Sequence, residues 1–228
     1  MPLAVVTGAG SGIGHAFAEI LIQEGYEVHA ADHEVTEKLQ ALQCRLHKLD
    51  LRSPDSITAF AQQLEGKRID VLLNVAGVMV PRQQDALDTV TPETLQRLFQ
   101  TNAFGPLLLT QALLPNLVAM PGSVVGIVSS RVGSIGDNES GGIYAYRASK
   151  AAVNSIGKSM ANDLKEKGIV VALLHPGFVK TNLNTGSEHH PDSVEPEEAA
   201  RKLWGVLMSK SIEDTGKFWH REGNELPW

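Results

Sequence analysis

The stretch that decides the fold lies near the start of the chain and reads Leu3-Ala4-Val5-Val6-Thr7-Gly8-Ala9-Gly10-Ser11-Gly12-Ile13-Gly14. Its first four residues form a short apolar run, which is typical of a buried parallel strand. The residues from Gly12 to Glu24 have apolar side chains at helical spacing and are followed by Gly25, a common helix terminator. Glycines between a strand and a helix permit a tight turn and a close approach of the backbone to a phosphate. The stretch therefore predicts a strand–turn–helix unit with an anion site at the helix start.

The alternation of strand and helix continues along the chain. The later strands are predicted at Tyr26–Ala31, Arg45–Leu49, Ile69–Asn74, Ser123–Ser129, Ile169–Leu174 and Lys217–Trp219. The helices between them are predicted at Val35–Leu42, from Ser53-Pro54, from Thr91 towards Val118, from near Tyr146 to about Lys167, and at Pro196–Ser209. Strands that alternate with helices of this length form βαβ units. We therefore predict an α/β fold with a doubly wound parallel sheet of about seven strands, flanked by helices, in one domain over residues 1–228.

Composition limits the classes of partner. Of the 228 residues 43% are hydrophobic, which suffices for a large core, and the net charge of −6 argues against nucleic acid or an anionic membrane as a partner. The single Cys44 cannot form an internal disulfide, which is typical of a reducing compartment. We see no basic leader and no apolar run long enough to span a membrane. A cytoplasmic protein is expected.

A candidate catalytic pair lies in the segment Gly142–Asn154. Tyr146 and Lys150 are four residues apart, so on a helix they share one face. A nearby ammonium can lower the pKa of a tyrosine, about 10 when free, by roughly 1–3 units. Such a tyrosine suits general acid–base chemistry on a carbonyl or an alcohol. The spacing alone favours a half-buried tyrosine beside a solvated lysine, because such pairs are common on helices, and the catalytic interpretation depends on the rest of the sequence.

Asp32 follows the second predicted strand, where an acidic side chain can hold the ribose 2′-hydroxyl of a dinucleotide. A carboxylate there repels a 2′-phosphate, and no arginine or lysine occupies Ser11, His15 or His33 to offset it. The pattern therefore favours NAD(H) over NADP(H). The alternative is an aspartate that only caps a turn at the strand end.

These motifs, taken in chain order, resemble the short-chain dehydrogenase/reductase family over nearly the whole chain. The matching positions are Gly8, Gly12 and Gly14, then Asp50 with Leu51, Asn102, Ser130, Tyr146 and Lys150, and finally Pro176, Gly177, Val179 and Thr181. The resemblance implies a Rossmann-type fold. It also implies an oxidoreductase that interconverts a ketone or aldehyde and an alcohol by hydride transfer with a nicotinamide cofactor.

The resemblance assigns a role to each matching residue. Tyr146 is the implied acid/base, Lys150 lowers its pKa and binds the nicotinamide ribose, and Ser130 orients the carbonyl, with Ser129 as the competing choice. The implied cofactor-binding residues are Gly8, Ser11, Gly12, Ile13, Gly14, Asp32, Asp50, Leu51, Asn74, Ala76, Gly77, Tyr146, Lys150, Pro176, Gly177, Val179 and Thr181. Val179 and Thr181 would hold the nicotinamide carboxamide. No metal is expected.

The position of Pro106 gives a second, physical reason to single out Asn102. Pro106 has no N–H, so the carbonyl four residues earlier loses its helical donor. A freed carbonyl bends a helix and can hold a water that connects Lys150 with solvent, which matches the family's proton relay. The alternative is a plain helix kink.

Two features depart from the family pattern. The Asn-Asn-Ala-Gly motif appears as Asn74-Val75-Ala76-Gly77, so one asparagine is lost. The gap between Ser130 and Tyr146 is longer than usual, and the extra residues fall in the polar loop 137–142. That loop, together with Tyr144–Lys150 and the C-terminal segment 223–228, is similar to the C-factor and sniffer-like carbonyl reductase branch.

Two loop features complete the interpretation. The short polar stretch Asn182–Glu195 occupies the place of the family's substrate lid, and it suggests an open site with broad carbonyl acceptance. His189 and His190 in that stretch are interpreted as solvated, because no carboxylate or cysteine cluster accompanies them.

Helix surfaces suggest self-association. The small residues Ala148, Ser149, Ala151, Ala152 and Ser155, together with the leucine-rich segment Leu107–Leu114, fit the family's habit of pairing two helices across a subunit interface. A homodimer or homotetramer is expected, although burial within one subunit would explain part of the pattern.

Two other functions stay open. A dinucleotide-sensing or signalling protein with little turnover would share the nucleotide site, and the C-factor resemblance keeps that alternative. A nucleotide-sugar epimerase is disfavoured because the C-terminal part is short.

Overall fold

The computed structural model describes residues 1–119, 121–183 and 190–228. The strands are β1 Leu3–Thr7, β2 Glu27–Asp32, β3 Arg45–Lys48, β4 Val71–Asn74, β5 Val124–Val128, β6 Val170–His175 and β7 Phe218–His220. The α-helices are α1 Gly12–Gln23, α2 Glu37–Gln40, α3 Pro54–Gln63, α4 Pro92–Phe99, α5 Gly105–Ala112, α6 Leu114–Leu117, α7 Tyr144–Lys165 and α8 Pro196–Met208. Strands and helices alternate as the sequence predicts.

The strands form one parallel sheet in the order β3-β2-β1-β4-β5-β6-β7. This confirms the predicted fold class of a doubly wound α/β sheet with helices on both faces. The chain leaves β1 towards one edge through β2 and β3, and then returns to the other side of β1 with β4. In such a sheet the crevice beyond the carboxyl ends of the strands, next to this reversal, is where ligands bind.

Successive residues of the central strands point to opposite faces of the sheet and contribute to two apolar layers. Val5, Leu72 and Val125 pack with α3, α5 and α7 on one face of the sheet. Val6 and Leu73 pack with α1 and α8 on the other face. Because both faces are covered, the strands read as continuous apolar runs in the sequence.

The long helix predicted from Thr91 towards Val118 is wrong as a single element. The chain forms α4, then a π-helical turn over Gln100–Phe104, and then α5 and the short α6. Pro106 and Pro115 each lie in the first turn of their helix, where a proline does not need a backbone donor. The proline bend that the sequence predicts at Asn102 therefore takes the form of a π-turn.

Other differences are confined to element ends. The helix predicted at Val35–Leu42 is reduced to α2, and the last strand is shifted by one residue relative to Lys217–Trp219. Among the described residues, no helix combines the length and the apolar character that a membrane span requires.

Candidate active site

The predicted site residues converge on the carboxyl edge of the sheet. Gly8 follows β1, Asp32 ends β2, Ser130 lies two residues after β5, and Pro176 follows β6. The parallel arrangement brings these strand ends to one edge, on both sides of the chain reversal between β1 and β4. The site described below lies along this edge.

The glycine turn after β1 is closely packed. Gly8 has a φ of +69°, and a Cβ added to it would lie 2.8 Å from the Cα of Ala76. Gly14, in the first turn of α1, packs against the carbonyl of Gly8. A Cβ at Gly12 would lie 3.1 Å from Cγ2 of Thr181, which places the predicted carboxamide residue beside the glycine turn.

Helix α1 begins without a cap, unlike two other helices of the fold. Its flanking Ser11 makes no side-chain hydrogen bond to the helix, and the first turn contains no acidic residue. In α3 and α4, by contrast, Ser53 and Thr91 cap the helix, and Asp55 and Glu93 lie in the first turn. An uncapped helix start with glycine-lined backbone is suited to bind an anion through its amides, including that of Ile13. The residues present therefore fit the pyrophosphate of a dinucleotide.

Asp32 lies beside the glycine turn and is hydrogen-bonded there. Its Oδ2 accepts the amide hydrogen of Gly10 at 2.8 Å, and its Oδ1 accepts that of His33 at 2.7 Å. The exposed imidazole of His33 also lies 2.6 Å from Oδ1 through Nδ1. The carboxylate thus holds the backbone of the glycine turn through the Gly10 amide.

Asp50 and Leu51 differ in exposure. Arg52 donates from Nε and Nη2 to the two oxygens of Asp50 at 3.0 and 2.9 Å, and this pairing lowers the pKa of Asp50. Leu51 is buried and packs against Gly105 at the start of α5. The predicted adenine-side acid is therefore already paired with a cation of the chain itself.

The segment after β4 is fixed to β1 by Thr7. The Thr7 hydroxyl accepts the amide hydrogens of Val75 and Ala76 at 3.0 and 3.2 Å. Asn74 is buried, and its Nδ2 donates to Thr110 of α5 at 3.4 Å. The side chain of Asn74 thus contacts α5, while Ala76 contacts Gly8 in the glycine turn.

Tyr146 and Ser130 lie together. Ser130 lies close enough to Tyr146 for its side chain to act on the pKa of the phenol, and Tyr146 is 8% exposed on α7. Ser129, the competing serine, is buried and donates to Oδ1 of Asn154 at 2.6 Å. Ser130 is therefore the serine beside Tyr146, and Ser129 ties the end of β5 to the middle of α7.

Lys150 is buried one turn along α7. Its Nζ donates to the carbonyl of Val128 at 3.0 Å and lies 5.8 Å from the centre of the Tyr146 ring. A Cβ at Gly77 would lie 3.5 Å from Nζ of Lys150 and 3.4 Å from Oδ1 of Asn102. Gly77 thus lies beside both Lys150 and Asn102, within ordinary van der Waals distance of each.

The side chain of Asn102 is engaged at both ends. Its Oδ1 accepts the amide hydrogen of Val78 at 2.8 Å, and its Nδ2 donates to the Val78 carbonyl at 2.9 Å and to Ser149 at 3.0 Å. Asn102 therefore connects the π-turn with the segment after β4 and with α7.

The pKa values of the central pair are set by burial. Burial raises the pKa of Tyr146 to about 12, against a smaller lowering by the Ser130 hydrogen bond. Burial also lowers the pKa of Lys150 to about 8. The pKa of Tyr146 therefore lies above its ordinary value and not below it as expected from Lys150, because both groups are removed from water and the Lys150 ammonium contacts the carbonyl of Val128.

A buried arginine organises the loop after β6, and sequence reasoning missed it. Arg221 donates from Nη1 to the carbonyls of Pro176 and Phe178 at 2.8 and 3.0 Å, and from Nη2 to that of Asp192 at 3.0 Å. Gly177 allows this approach, since a Cβ there would lie 2.6 Å from Nη1. Arg221 lies in the charged turn after β7, and no motif distinguishes it from a surface arginine.

The same loop is completed by backbone pairing. Val179 is buried and forms a bridge with Val194, and the amide of Lys180 donates to the Val194 carbonyl at 3.0 Å. Arg221 and this pairing together fix the segment that contains Pro176, Gly177 and Val179.

Arginines also hold the inserted loop between Ser130 and Tyr146. Arg147 donates to Ser140 at 2.7 Å and to the carbonyls of Gly142 and Val132 at 3.1 and 3.0 Å. Arg131 forms an ion pair with Asp137. The extra residues are thus tied to Arg147 in the first turn of α7 and to Arg131 after β5.

The predicted lid lies partly outside the described residues, since the structure describes Asn182, Leu183 and the segment from His190 onward. His189 also lies outside them. His190 stacks on Phe178 with ring centres 3.6 Å apart. Within the described ranges, no group of three or more histidine, cysteine, aspartate or glutamate side chains could hold a metal ion.

Comparison with known proteins supports one family. The short chain dehydrogenase family model matches residues 2–192. Over the full length of both chains, the protein is 37% identical to 1-hydroxy-2-glutathionyl-2-methyl-3-butene dehydrogenase of Rhodococcus sp. strain AD45. It is 40% identical over 171 residues to C-signal of Myxococcus xanthus, which covers 75% of this chain and 99% of that protein.

Solved structures agree with this assignment. NADPH-bound carbonyl reductase from chicken fatty liver superposes with a TM-score of 0.87 at 29% identity, and carbonyl reductase Sniffer of D. melanogaster with a TM-score of 0.90 at 26% identity. Both comparisons cover 100% of each chain. The chain therefore belongs to the short-chain dehydrogenase family of oxidoreductases.

Proposed function

We propose that the protein interconverts a ketone or aldehyde and an alcohol by hydride transfer with NAD(H). The observation that carries the proposal is the neighbouring side chains of Ser130 and Tyr146, with buried Lys150 one turn along α7, at the carboxyl edge of the sheet. A hydroxyl pair at this position can bind one carbonyl oxygen from two sides. The bound cofactor supplies the hydride, and the protein supplies orientation and the proton.

Each side chain has a defined part in this chemistry. The Ser130 hydroxyl holds the substrate oxygen, while Tyr146 transfers a proton to or from it. Lys150 donates to the ribose and supports the charge on Tyr146. Asn102, next to Gly77 and Lys150, supports the path by which Lys150 exchanges its proton with solvent. Burial of the site strengthens each of these hydrogen bonds.

The raised pKa of Tyr146 sets the protonation state of the phenol. With a pKa of about 12, the phenol carries its proton at neutral pH, which is the form that donates to a developing alkoxide. The oxidative direction requires the phenolate, whose formation burial disfavours. The test below is therefore run in the direction of carbonyl reduction.

The nucleotide is proposed to lie along the edge from the glycine turn to the loop after β6. The residues proposed to contact it are Gly8, Ser11, Gly12, Ile13, Gly14, Asp32, Asp50, Leu51, Asn74, Ala76, Gly77, Pro176, Gly177, Val179 and Thr181. The carboxylate of Asp32 supports NAD(H), because it would face a 2′-phosphate with like charge. The chicken relative is described as NADPH-bound, and a Burkholderia multivorans relative as bound to NADP, so both cofactors belong in the test.

The test is oxidation of NADH and NADPH against a panel of ketones, aldehydes and diketones, with wild-type protein and Tyr146→Phe. We expect turnover with NADH that is lost in Tyr146→Phe. Turnover with NADPH alone would refute the cofactor assignment and leave the chemistry. Absence of turnover on every carbonyl would refute the function.

A second candidate is a nucleotide-dependent signalling protein, which the similarity to C-signal favours. It predicts that NADH binds while no carbonyl is turned over. Retention of Ser130, Asn102, Tyr146 and Lys150 favours the enzyme, because sensing alone does not require groups for proton transfer.

We also propose that the chain forms a homodimer or homotetramer in the cytoplasm. Phe104, Leu107 and Leu108 are 37–47% exposed on and next to α5, and Ala148 is exposed on α7, whereas Ser149 is buried within the subunit. Sedimentation of the purified protein tests the oligomer, and a monomer at micromolar concentration would refute it.

A further inference from the structure

Helix α7, which contains Tyr146 and Lys150, begins without a cap from its own flanking residue. Ile143 precedes the helix in the left-handed conformation, with φ 44° and ψ 53°, and makes no side-chain hydrogen bond to it. The first turn contains no acidic residue. The first amides of a helix have no partner within the helix, so buried ones require an acceptor from elsewhere.

Asp85 provides that acceptor from a distant part of the chain. Its Oδ1 accepts the amide hydrogen of Ala145 at 2.7 Å, and its Oδ2 accepts that of Tyr146 at 3.0 Å. Its backbone carbonyl accepts the amide hydrogen of Tyr144 at 3.3 Å. One residue thus binds three consecutive amides at the start of the helix.

The Asp85 side chain is fully buried, with a relative exposure of 0%. It follows a 3₁₀ turn over Arg82–Gln84, which Thr89 stabilises by donating to the carbonyl of Gln83 at 2.7 Å. The Thr89 hydroxyl also accepts the amide hydrogen of Ala86 at 3.2 Å. A buried carboxylate is costly unless it is hydrogen-bonded, and here the amides and the positive end of the helix dipole compensate it.

The peptide groups of Tyr146 are therefore fixed on both sides. Asp85 binds the Tyr146 amide, and the Ser149 hydroxyl donates to the Tyr146 carbonyl at 2.8 Å. Ser149 in turn accepts from Asn102. Two different segments, the turn after β4 and the π-turn, hold the backbone of the same residue.

We propose that Asp85 is a positioning residue for Tyr146. It fixes the first turn of α7 so that the phenol meets Ser130 and the substrate oxygen in reactive geometry. The carboxylate is occupied by backbone amides, so it acts through the helix and not on the substrate. This inference rests on the proposed function, and a displacement of about 1 Å at a reacting group can cost about 100-fold in rate.

The experiment compares Asp85→Ala, Asp85→Asn and the matched control Asp88→Asn, which changes an exposed aspartate of the same segment. We expect Asp85→Ala to lower kcat for carbonyl reduction about 100-fold, with NADH affinity retained. Asp85→Asn keeps one accepting oxygen, so its kcat should be intermediate, and Asp88→Asn should match the wild type. Should Asp85→Ala fail to fold, Asp85→Asn carries the test.

Two readouts separate positioning from stability and do not need turnover. Hydrogen exchange at the Tyr146 amide should accelerate in Asp85→Asn, and the ultraviolet titration of the phenol, taken as the difference from Tyr146→Phe, should shift. A folded Asp85→Asn protein with unchanged kcat, exchange and titration would overturn the inference. Absence of turnover in the wild type would refute the proposed function alone, and the exchange and titration results would still decide on Asp85.

Discussion

At the proposed nicotinamide end of the site, Tyr146, Lys150 and Asn102 are 1–8% exposed and hydrogen-bonded to several separate segments. At the proposed adenosine end, the side chains of Asp32 and Asp50 are 12% and 35% exposed and pair with exposed residues next to them in the chain, His33 and Arg52. Buried polar groups are costly to disturb, whereas exposed ion pairs contribute little. The comparison suggests that the chemistry is fixed by the core of the fold, while the choice of cofactor depends on a surface that tolerates change.

The two serines after β5 sharpen the description of the nicotinamide end. Ser130→Ala removes the hydroxyl proposed to hold the substrate oxygen, so kcat should fall about 100-fold with little change in stability. Ser129→Ala leaves Oδ1 of buried Asn154 without its donor, so the free energy of unfolding should fall by about 1–3 kcal/mol while kcat is retained. Steady-state kinetics and thermal melts of both variants test this, and the reverse assignment of effects would contradict it.

Substitution of Arg221 tests whether the loop after β6 belongs to the proposed nicotinamide end. Its guanidinium donates to three carbonyls at once, a pattern that a lysine ammonium cannot reproduce. Arg221→Lys should therefore weaken NADH binding about tenfold, or about 1.4 kcal/mol. Fluorescence titration measures the affinity, and the exposed Arg45→Lys is the matched control. Equal affinities in both variants would show that the loop does not depend on Arg221.

The adenosine end should respond to charge. Asp32→Asn keeps an acceptor for the Gly10 amide and removes the like charge that faces a 2′-phosphate, so the ratio of kcat/KM for NADPH to that for NADH should rise about fivefold. Asp50→Asn should change the ratio less, because Arg52 already neutralises that carboxylate. If Asp50→Asn changed this ratio more than Asp32→Asn, Asp50 and not Asp32 would be the residue that selects the cofactor.

The smallest expected effect is the dependence of activity on pH, which should differ between the nicotinamide end and the adenosine end of the site. Lys150, with a pKa of about 8, loses its charge as the pH rises through 8, so kcat for reduction should be about half its plateau value at pH 8 and fall further above it. The pKa of Asp50 is lowered, so this carboxylate stays ionised over the same range, and any loss of NADH affinity above pH 8 should come from Lys150, which is proposed to donate to the ribose. Parallel profiles of kcat and Kd between pH 6 and 10 measure this. A flat kcat profile would contradict the role of Lys150.

Patterns along the chain predict the sheet and the local motifs, because these depend on neighbours in sequence. The apolar run before Gly8 and the strand–helix alternation predict the parallel sheet that the structure shows. The π-turn at Gln100–Phe104 was not predicted, because Pro106 indicates a bend but not how neighbouring elements resolve it.

Local sequence patterns do not predict effects that depend on burial or on residues distant in the chain. The spacing of Tyr146 and Lys150 predicts a shared helix face, but not that burial dominates both pKa values. The contacts of Asp85 with α7 and of Arg221 with the loop after β6 join residues 43–61 positions apart. Neither residue lies in a motif, so only the fold brings it to the site.

The central claim is that a hydride from the nicotinamide and a proton from Tyr146 reach the same carbonyl. The most direct measurement mixes NADH deuterated at the transferred position with a carbonyl substrate and follows a single turnover in wild-type protein and Tyr146→Phe. The account predicts deuterium on the product carbinol carbon in the wild type. It also predicts a rate about 10²–10⁴-fold lower in Tyr146→Phe, with NADH affinity unchanged. Undiminished deuterium transfer in Tyr146→Phe would contradict it.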